Sequence, residues 1–271
     1  MENLSGKTIL ITGSTDGIGK QTACKLAQMG AAVILHGRDT ERARMAAEEI
    51  RHSAPAAAVE YTAADFSSLQ QVRAMGADIQ SRFPRLDVLI NNAGVYMNEH
   101  ILTQDRYEMT FGVNYLAHFL LTNLLLDLLK QSRPSRIVHV SSISHTNGRL
   151  DFDNLQGEKK FDPYSAYALS KLANILFSCE LAVRLKGAGV TSNALHPGVI
   201  NTKLLRKGFN IHGADVQSGT ETSVFLASSP EVTQTTGKYF VQCKETFPSP
   251  IAENASLRSA FWKESEQLAG F

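Results

Sequence analysis

The tightest constraint on this chain is a glycine turn set between a β-branched run and a helical one. Lys7-Thr8-Ile9-Leu10-Ile11-Thr12 reads as a buried strand, and Gly13-Ser14-Thr15-Asp16-Gly17-Ile18-Gly19 follows it directly, ahead of a helical segment from Lys20 to Met29. Glycine permits a tight turn and close backbone approach, while the start of the next helix offers unpaired amide N–H groups to an anion. A strand, glycine turn and helix in this order predict a parallel α/β sheet with a cradle for a pyrophosphate. Gly13, Ser14, Thr15, Gly17, Ile18 and Gly19 are its candidate contact residues.

The same alternation continues along the chain. Strands are predicted at 32–36, 58–62, 87–90, 136–142, 190–195 and 237–241, with helices over 40–52, 103–130 and from Tyr167 onward. No repeat or linker-like composition shift divides the 271 residues, so one doubly wound, Rossmann-type α/β domain with helices on both sheet faces is expected over 1–271. A hydrophobic content of 43% is enough for a large core. Lys and Arg total 27 against 26 Asp and Glu, which gives no field favouring nucleic acid. Cys24, Cys179 and Cys243 are widely spaced and lack metal-ligand spacing, so reduced thiols and no metal site are expected. The apolar region from Leu116 to Leu129 is broken by His118, Asn123 and Asp127, which disfavours a membrane span.

Tyr167-Ala168-Leu169-Ser170-Lys171 places a phenol and an ammonium four residues apart, on one face of the predicted helix. A free phenol has a pKa of about 10, and a neighbouring cation favours its ionised form. The pair is a candidate proton donor. Ser142, at the predicted end of the fifth strand, faces the crevice in which open α/β sheets bind ligands.

Taken together, the Gly-x-x-x-Gly-x-Gly turn after Thr12, Asn91-Asn92-Ala93-Gly94, Asn114 in Asn114-Tyr115-Leu116-Ala117, Val140-Ser141-Ser142 and the Tyr167–Lys171 pair resemble the short-chain dehydrogenase/reductase family. The resemblance implies hydride transfer between a nicotinamide dinucleotide and a carbonyl or alcohol, with Asn114, Ser142, Tyr167 and Lys171 as the catalytic set. Ser142 is preferred to Ser141, and Asn114 is implied to hold a water linking Lys171 to solvent. The implied cofactor contacts extend to Asp65, Phe66, Asn92, Ala93, Gly94, Pro197, Gly198, Val199 and Thr202, besides Tyr167 and Lys171. Asp65 reads equally well as a cap for the helix beginning at Ser67-Ser68.

Arg38, at the end of the second strand, can pair with the 2′-phosphate of NADP, whereas an acidic residue there would bind the 2′-hydroxyl of NAD. NADP is therefore expected over NAD, although Asp16 stands where the family's NADP members often carry a basic residue. The polar stretch 153–160, His196-Pro197-Gly198 and the tail from Cys243-Lys244 to Ser249-Pro250 resemble the retinol dehydrogenase-like branch. That branch's membrane-attached members carry an N-terminal hydrophobic anchor, and Met1–Lys7 shows none, so a soluble, cytoplasmic enzyme is expected. The segments 143–163, 199–215 and 244–271 are expected to form the substrate side, with 203–215 as a mobile lid and Phe261 and Trp262 packed in the core. The 103–130 and 164–186 helices are the expected surface for any homo-oligomer.

Overall fold

The protein is described here by a computed structural model covering residues 3–209 and 211–271; Met1 and Glu2 of the N-terminal lead-in and Asn210 of the 203–215 segment lie outside the described residues. The strands are β1 (Thr8–Ile11), β2 (Ala32–Gly37), β3 (Val59–Ala63), β4 (Val88–Asn91), β5 (Ser135–Val140), β6 (Val190–His196), β7 (Tyr239–Val241) and β8 (Lys244–Thr246). They lie in the order β3-β2-β1-β4-β5-β6-β7-β8. All neighbours are parallel except β7 and β8. Strand order reverses between β1 and β4, which opens a crevice at their carboxyl ends.

Helices cover both faces, as expected of a doubly wound sheet. On one face α1 (Gly17–Gln28), α2 (Thr40–Ser53) and α7 (Glu221–Ser228) bury Ala23, Leu26, Ala47, Ile50 and Leu226 against β1, β2 and β4. On the other, α3 (Leu69–Arg82), α4 (Met109–Gln131), α5 (Pro163–Arg184) and α8 (Ala255–Ala269) form the larger core with Phe119, Phe177, Phe261 and Trp262. Trp262 lies edge-on to Phe119 at 5.0 Å, so the terminal helix covers the apolar stripe of α4. Of that stripe, Leu116, Phe119 and Leu120 are fully buried and Leu124 is partly buried. By length and composition α4 and α5 are apolar enough to cross a membrane, but 78% and 83% of the relevant windows are buried within the fold, as in core helices.

Several boundaries differ from the sequence reading. Helix α1 begins at Gly17, three residues early, because the Asp16 carboxylate accepts from the Gly17 amide. The predicted 103–130 helix starts at Met109, where the Glu108 carboxylate caps it by accepting from Thr110 N and Phe111 N at 2.8 and 2.7 Å. Residues 102 and 108 form a bridge instead of a helical turn. Within α4, residues Gly112–Leu116 adopt a wider π turn, centred on Asn114. The fifth strand stops at Val140, which frees Ser141 and Ser142 from the sheet. Strand β8 is too short and polar to show any period-2 pattern.

Candidate active site

The crevice is a cleft of about 1270 Å³, lined from the glycine turn at one end to Tyr164 and Phe209 at the other. Its floor is made by two strand ends tied together. Thr12 Oγ1 accepts from the amides of Asn92 and Ala93 at 2.8 and 3.0 Å, and Asn92 Nδ2 donates back to the carbonyls of Thr12 and Gly13 at 2.8 and 3.1 Å. The glycines are what permits this approach. A Cβ on Gly13, at φ +63°, would lie 2.6 Å from Ala93 Cα, and one on Gly19 would lie 2.4 Å from both Asn92 Nδ2 and the Gly13 carbonyl. A side chain on Gly94 would fill the space before Asn114 Oδ1 and Lys171 Nζ, at 3.5 and 3.6 Å. Glycine at that position keeps the cleft open along its length. With the first turn of α1 directed into the same opening, these residues fit a bound dinucleotide.

Most of the predicted contact residues line this cleft: Gly13, Thr15, Gly17, Ile18, Gly19, Arg38, Asp65, Phe66, Asn92, Ala93, Gly94, Pro197, Gly198, Val199 and Thr202. Ser14 does not. Its hydroxyl is fully buried, donates to the Ile11 carbonyl at 2.8 Å and accepts from the His36 amide at 2.9 Å, so it locks the turn onto β2. Asp65 does not cap α3 either. Ser68 is the cap, while the Asp65 carboxylate closes a local turn by accepting from Ser67 N at 2.9 Å and remains at the cleft wall.

Two buried histidines that carried no sequence signal brace the cradle. The Gly13 amide donates to His36 Nδ1 at 3.1 Å, so Nε2 bears the proton and donates to the Ala64 carbonyl at 3.0 Å. His118 joins Thr12 Oγ1 to the Asn114 carbonyl, at 2.9 Å on each side. Burial lowers the pKa of His36 to about 4 and that of His118 to about 3; His139 and His196 are likewise held at about 3 and about 4. These groups are neutral when folded and take up protons near pH 6.5 when unfolded, so the unfolded chain binds more protons as pH falls below that value. The histidine contribution should therefore be constant above neutrality and decline from about pH 6.5 toward pH 4, by about 1.4 kcal/mol per pH unit for each such histidine. Urea unfolding across this range measures it. A midpoint unchanged between pH 7 and 5 would show that these rings do not stay neutral.

The predicted reacting groups come together on the β5 side of the cleft. Ser141 and Ser142 both border the cleft but differ in exposure: Ser141 is buried and its hydroxyl donates to the Lys171 carbonyl at 2.7 Å, whereas Ser142 is half-buried. The Ser142 hydroxyl accepts from Ser144 N at 3.2 Å and also hydrogen-bonds the Tyr167 phenol. Lys171 Nζ donates to the Val140 carbonyl at 3.1 Å and stands 5.5 Å from the centre of the Tyr167 ring. Burial raises the Tyr167 phenol to about 12, outweighing the Ser142 hydrogen bond, and lowers Lys171 to about 8. The sequence expectation that Lys171 brings the phenol down is not met, because the ammonium lies over the ring face and desolvation dominates. Asn114 sits behind this group, fully buried. Its carboxamide accepts from Val95 N at 2.7 Å and donates to Val95 O and Ser170 Oγ at 3.0 and 3.1 Å.

The far end of the cleft is aromatic. Tyr96 and Phe209 pack around Tyr167, with ring centres 5.5 and 5.6 Å from it, and Tyr164 lies 6.1 Å from Phe209. Phe209 ends helix α6 (Lys203–Phe209), which occupies the predicted lid. The two lid glycines are close-packing positions: a Cβ on Gly208 would lie 2.8 Å from the Tyr96 ring, and one on Gly213 2.6 Å from the Ile200 backbone. The C-terminal tail also reaches the site. Ser249 N donates to His145 Nε2 at 3.0 Å, which leaves Nδ1 protonated and donating to the Ser142 carbonyl at 2.7 Å. Sequence reasoning missed Tyr96 and Phe209 because single aromatics in loops and short helices read as ordinary apolar positions. Phe261 and Trp262 are core residues, 1% and 5% exposed.

Comparison with known proteins agrees with this fold and shows the family. Residues 7–210 match the family model described as short chain dehydrogenase. Human retinol dehydrogenase 13 is 44% identical over 98% of this chain and 86% of its own length, and human retinol dehydrogenase 14 is 43% identical over 98% and 87%. A crystal structure of an uncharacterized protein from Mycobacterium paratuberculosis superposes with a TM-score of 0.84, at 33% identity, covering all of this chain and 96% of that one.

Proposed function

The chain belongs to the short-chain dehydrogenase family, and on that premise we propose that it interconverts an alcohol and an aldehyde or ketone with NADP(H) as redox partner. The observation that carries the reading is the meeting of Ser142, Tyr167 and Lys171 in one cleft whose other end holds the glycine turn. When bound, the nicotinamide supplies the hydride in the reducing direction and accepts it in the oxidising one. The chain's own groups manage the proton. Ser142 donates a hydrogen bond to the substrate oxygen, and Tyr167, held protonated by burial, passes its phenolic proton to that oxygen. Lys171 keeps a cation beside the site and holds the cofactor ribose, while Asn114 fixes the Gly94–Val95 backbone in front of it and supports proton resupply.

Arg38 and Arg42 line the end of the cleft beside β2, which supports NADP over NAD. Tyr164, Met97 and Phe209, which line the cleft, support an apolar substrate, in keeping with the printed names of the retinol dehydrogenase relatives. Residues of 143–163 and 199–215 that border the cleft support their assignment to the substrate side of this one domain, whereas among the described residues none of 244–271 lines the cleft and Phe261 and Trp262 pack in the core. Cys24, Cys179 and Cys243 are free, in keeping with a cytoplasmic protein.

The test is oxidation of NADPH and of NADH by the purified protein across a panel of aldehydes and ketones. NADPH should be consumed and preferred. Replacing Arg38 with Ala should raise the dissociation constant for NADPH about tenfold and leave that for NADH nearly unchanged, as loss of a phosphate-pairing guanidinium requires. Tight binding with no turnover on any substrate would point to a dinucleotide-binding regulator. Substrate conversion without net cofactor consumption would point to an epimerase or dehydratase.

A further inference from the structure

The NADP reading leaves an acidic side chain in an awkward place. Asp16 stands in the glycine turn, and the turn is pressed against the end of β2 so closely that a Cβ on Gly37 would lie 2.4 Å from Thr15 Cγ2. Asp16 therefore shares the cleft wall with Arg38 and Arg42, where a bare carboxylate would repel a dianionic 2′-phosphate. The carboxylate is not bare. Its Oδ1 accepts from Gly17 N at 2.8 Å, and its Oδ2 accepts from Lys203 Nζ at 2.5 Å.

Lys203 comes from a distant part of the chain, and its placement is built in. Thr202 Oγ1 accepts from Leu205 N at 3.2 Å, at the start of α6, and the segment beyond α6 is fastened to α1 by Lys25 Nζ on the Gln217 carbonyl at 3.2 Å and by Gln217 Nε2 on Gln21 Oε1 at 3.1 Å. Thr202 and Gln217 thus both meet α1, Thr202 at its first residue, which sets Lys203 over the α1 cap. The Lys203 side chain is 76% exposed, so the pair adds little to folding stability. The Asp16 carboxyl is held below its usual range, with the Lys203 hydrogen bond as the largest cause and Arg42 contributing through its charge.

Resting on the NADP reading above, we propose that Lys203 is a cofactor-specificity residue, which cancels the Asp16 charge from across the cleft and so admits the 2′-phosphate. A cation carried within the turn itself would do the same work; here it arrives from the substrate side of the fold. Lys203 acts through Asp16, so its effect must vanish when the carboxylate is gone.

Calorimetric binding of NADPH and NADH to the full chain, to K203A, to D16N and to D16N/K203A tests this. Asn keeps the cap that Asp16 provides, and thermal melts report whether each variant is folded. K203A should weaken NADPH about five- to tenfold, the cost of exposing a dianion to one unpaired carboxylate across several ångströms of water. It should change NADH less than about twofold, since a 2′-hydroxyl carries no charge. D16N should bind NADPH at least as tightly as the wild type, and D16N/K203A should match D16N. Equal losses for the two cofactors in K203A, no loss at all, or a loss that persists in the D16N background would each overturn the proposal. A wild-type protein that prefers NADH would instead overturn the NADP reading on which it rests.

Discussion

The Tyr167→Phe protein should be folded and should bind NADPH as the wild type does, yet turn over about a thousandfold more slowly. Only the hydroxyl is removed, from a ring held by Tyr96 and Phe209 on its flanks and by Lys171 over its face, so the cavity shape survives. The lost element is the proton that neutralises the developing alkoxide, and general acids of this type contribute roughly 10²- to 10⁴-fold. Single-turnover oxidation of NADPH, set beside calorimetric binding of the same variant, separates the two effects. Turnover retained within tenfold would move the proton donor elsewhere. Tyr164 is the neighbouring phenol, but its oxygen accepts from Asn147 Nδ2 at 2.9 Å and no cation stands four residues after it.

The second large effect is expected at Gly19, from a change of one methyl group. In Gly19→Ala the new carbon would meet Asn92 Nδ2 and the Gly13 carbonyl at 2.4 Å, closer than real contacts allow. Either α1 moves outward or Asn92 gives up its bonds to Thr12 and Gly13. Both loosen the floor on which a pyrophosphate would sit. Overpacking and the loss of these hydrogen bonds should cost about 3 kcal/mol, a fall of roughly 8 °C in melting temperature. NADPH binding should weaken by at least about tenfold, because the first turn of α1 no longer faces the ligand at the right depth. Differential scanning calorimetry with and without NADPH reads both quantities. An unchanged melting temperature would mean that the strand ends are less tightly joined than the Thr12–Asn92 bonds imply.

The doubly wound sheet and the reacting groups could be read from the residues because they depend on local signals. The glycine turn, the Asn-Asn-Ala-Gly element, the serine pair and the Tyr–Lys spacing are all contiguous, and each sits at the carboxyl end of a strand or on one helix face. Position in chain order was enough to bring them together. The remainder depends on tertiary contact. His36 and His118 each join backbone groups from separate elements, and neither ring differs in sequence from a surface histidine. The start of α4 was misplaced because residues 103–108, Thr-Gln-Asp-Arg-Tyr-Glu, contain no glycine or proline to mark a break, whereas a buried carboxylate cap at Glu108 decides where the helix begins. The π turn around Asn114 has no periodic signature, since it is one residue out of step with its own helix. The Tyr167 phenol was expected to lie low, because spacing reveals which groups are neighbours but not how dry their surroundings are.

The bridge from Ser249 through His145 to the Ser142 carbonyl ties the last part of the polypeptide to the loop that carries the reacting hydroxyl. The tail also packs on the helix that bears Tyr167 and Lys171, through Trp262 against Phe177, so it braces the frame of the site at two places. Descendants of such a chain can alter the outer face of that tail while the imidazole keeps the Ser142 loop where it is. A scaffold wired in this way tolerates change at its periphery without disturbing the joined strand ends beneath the cleft.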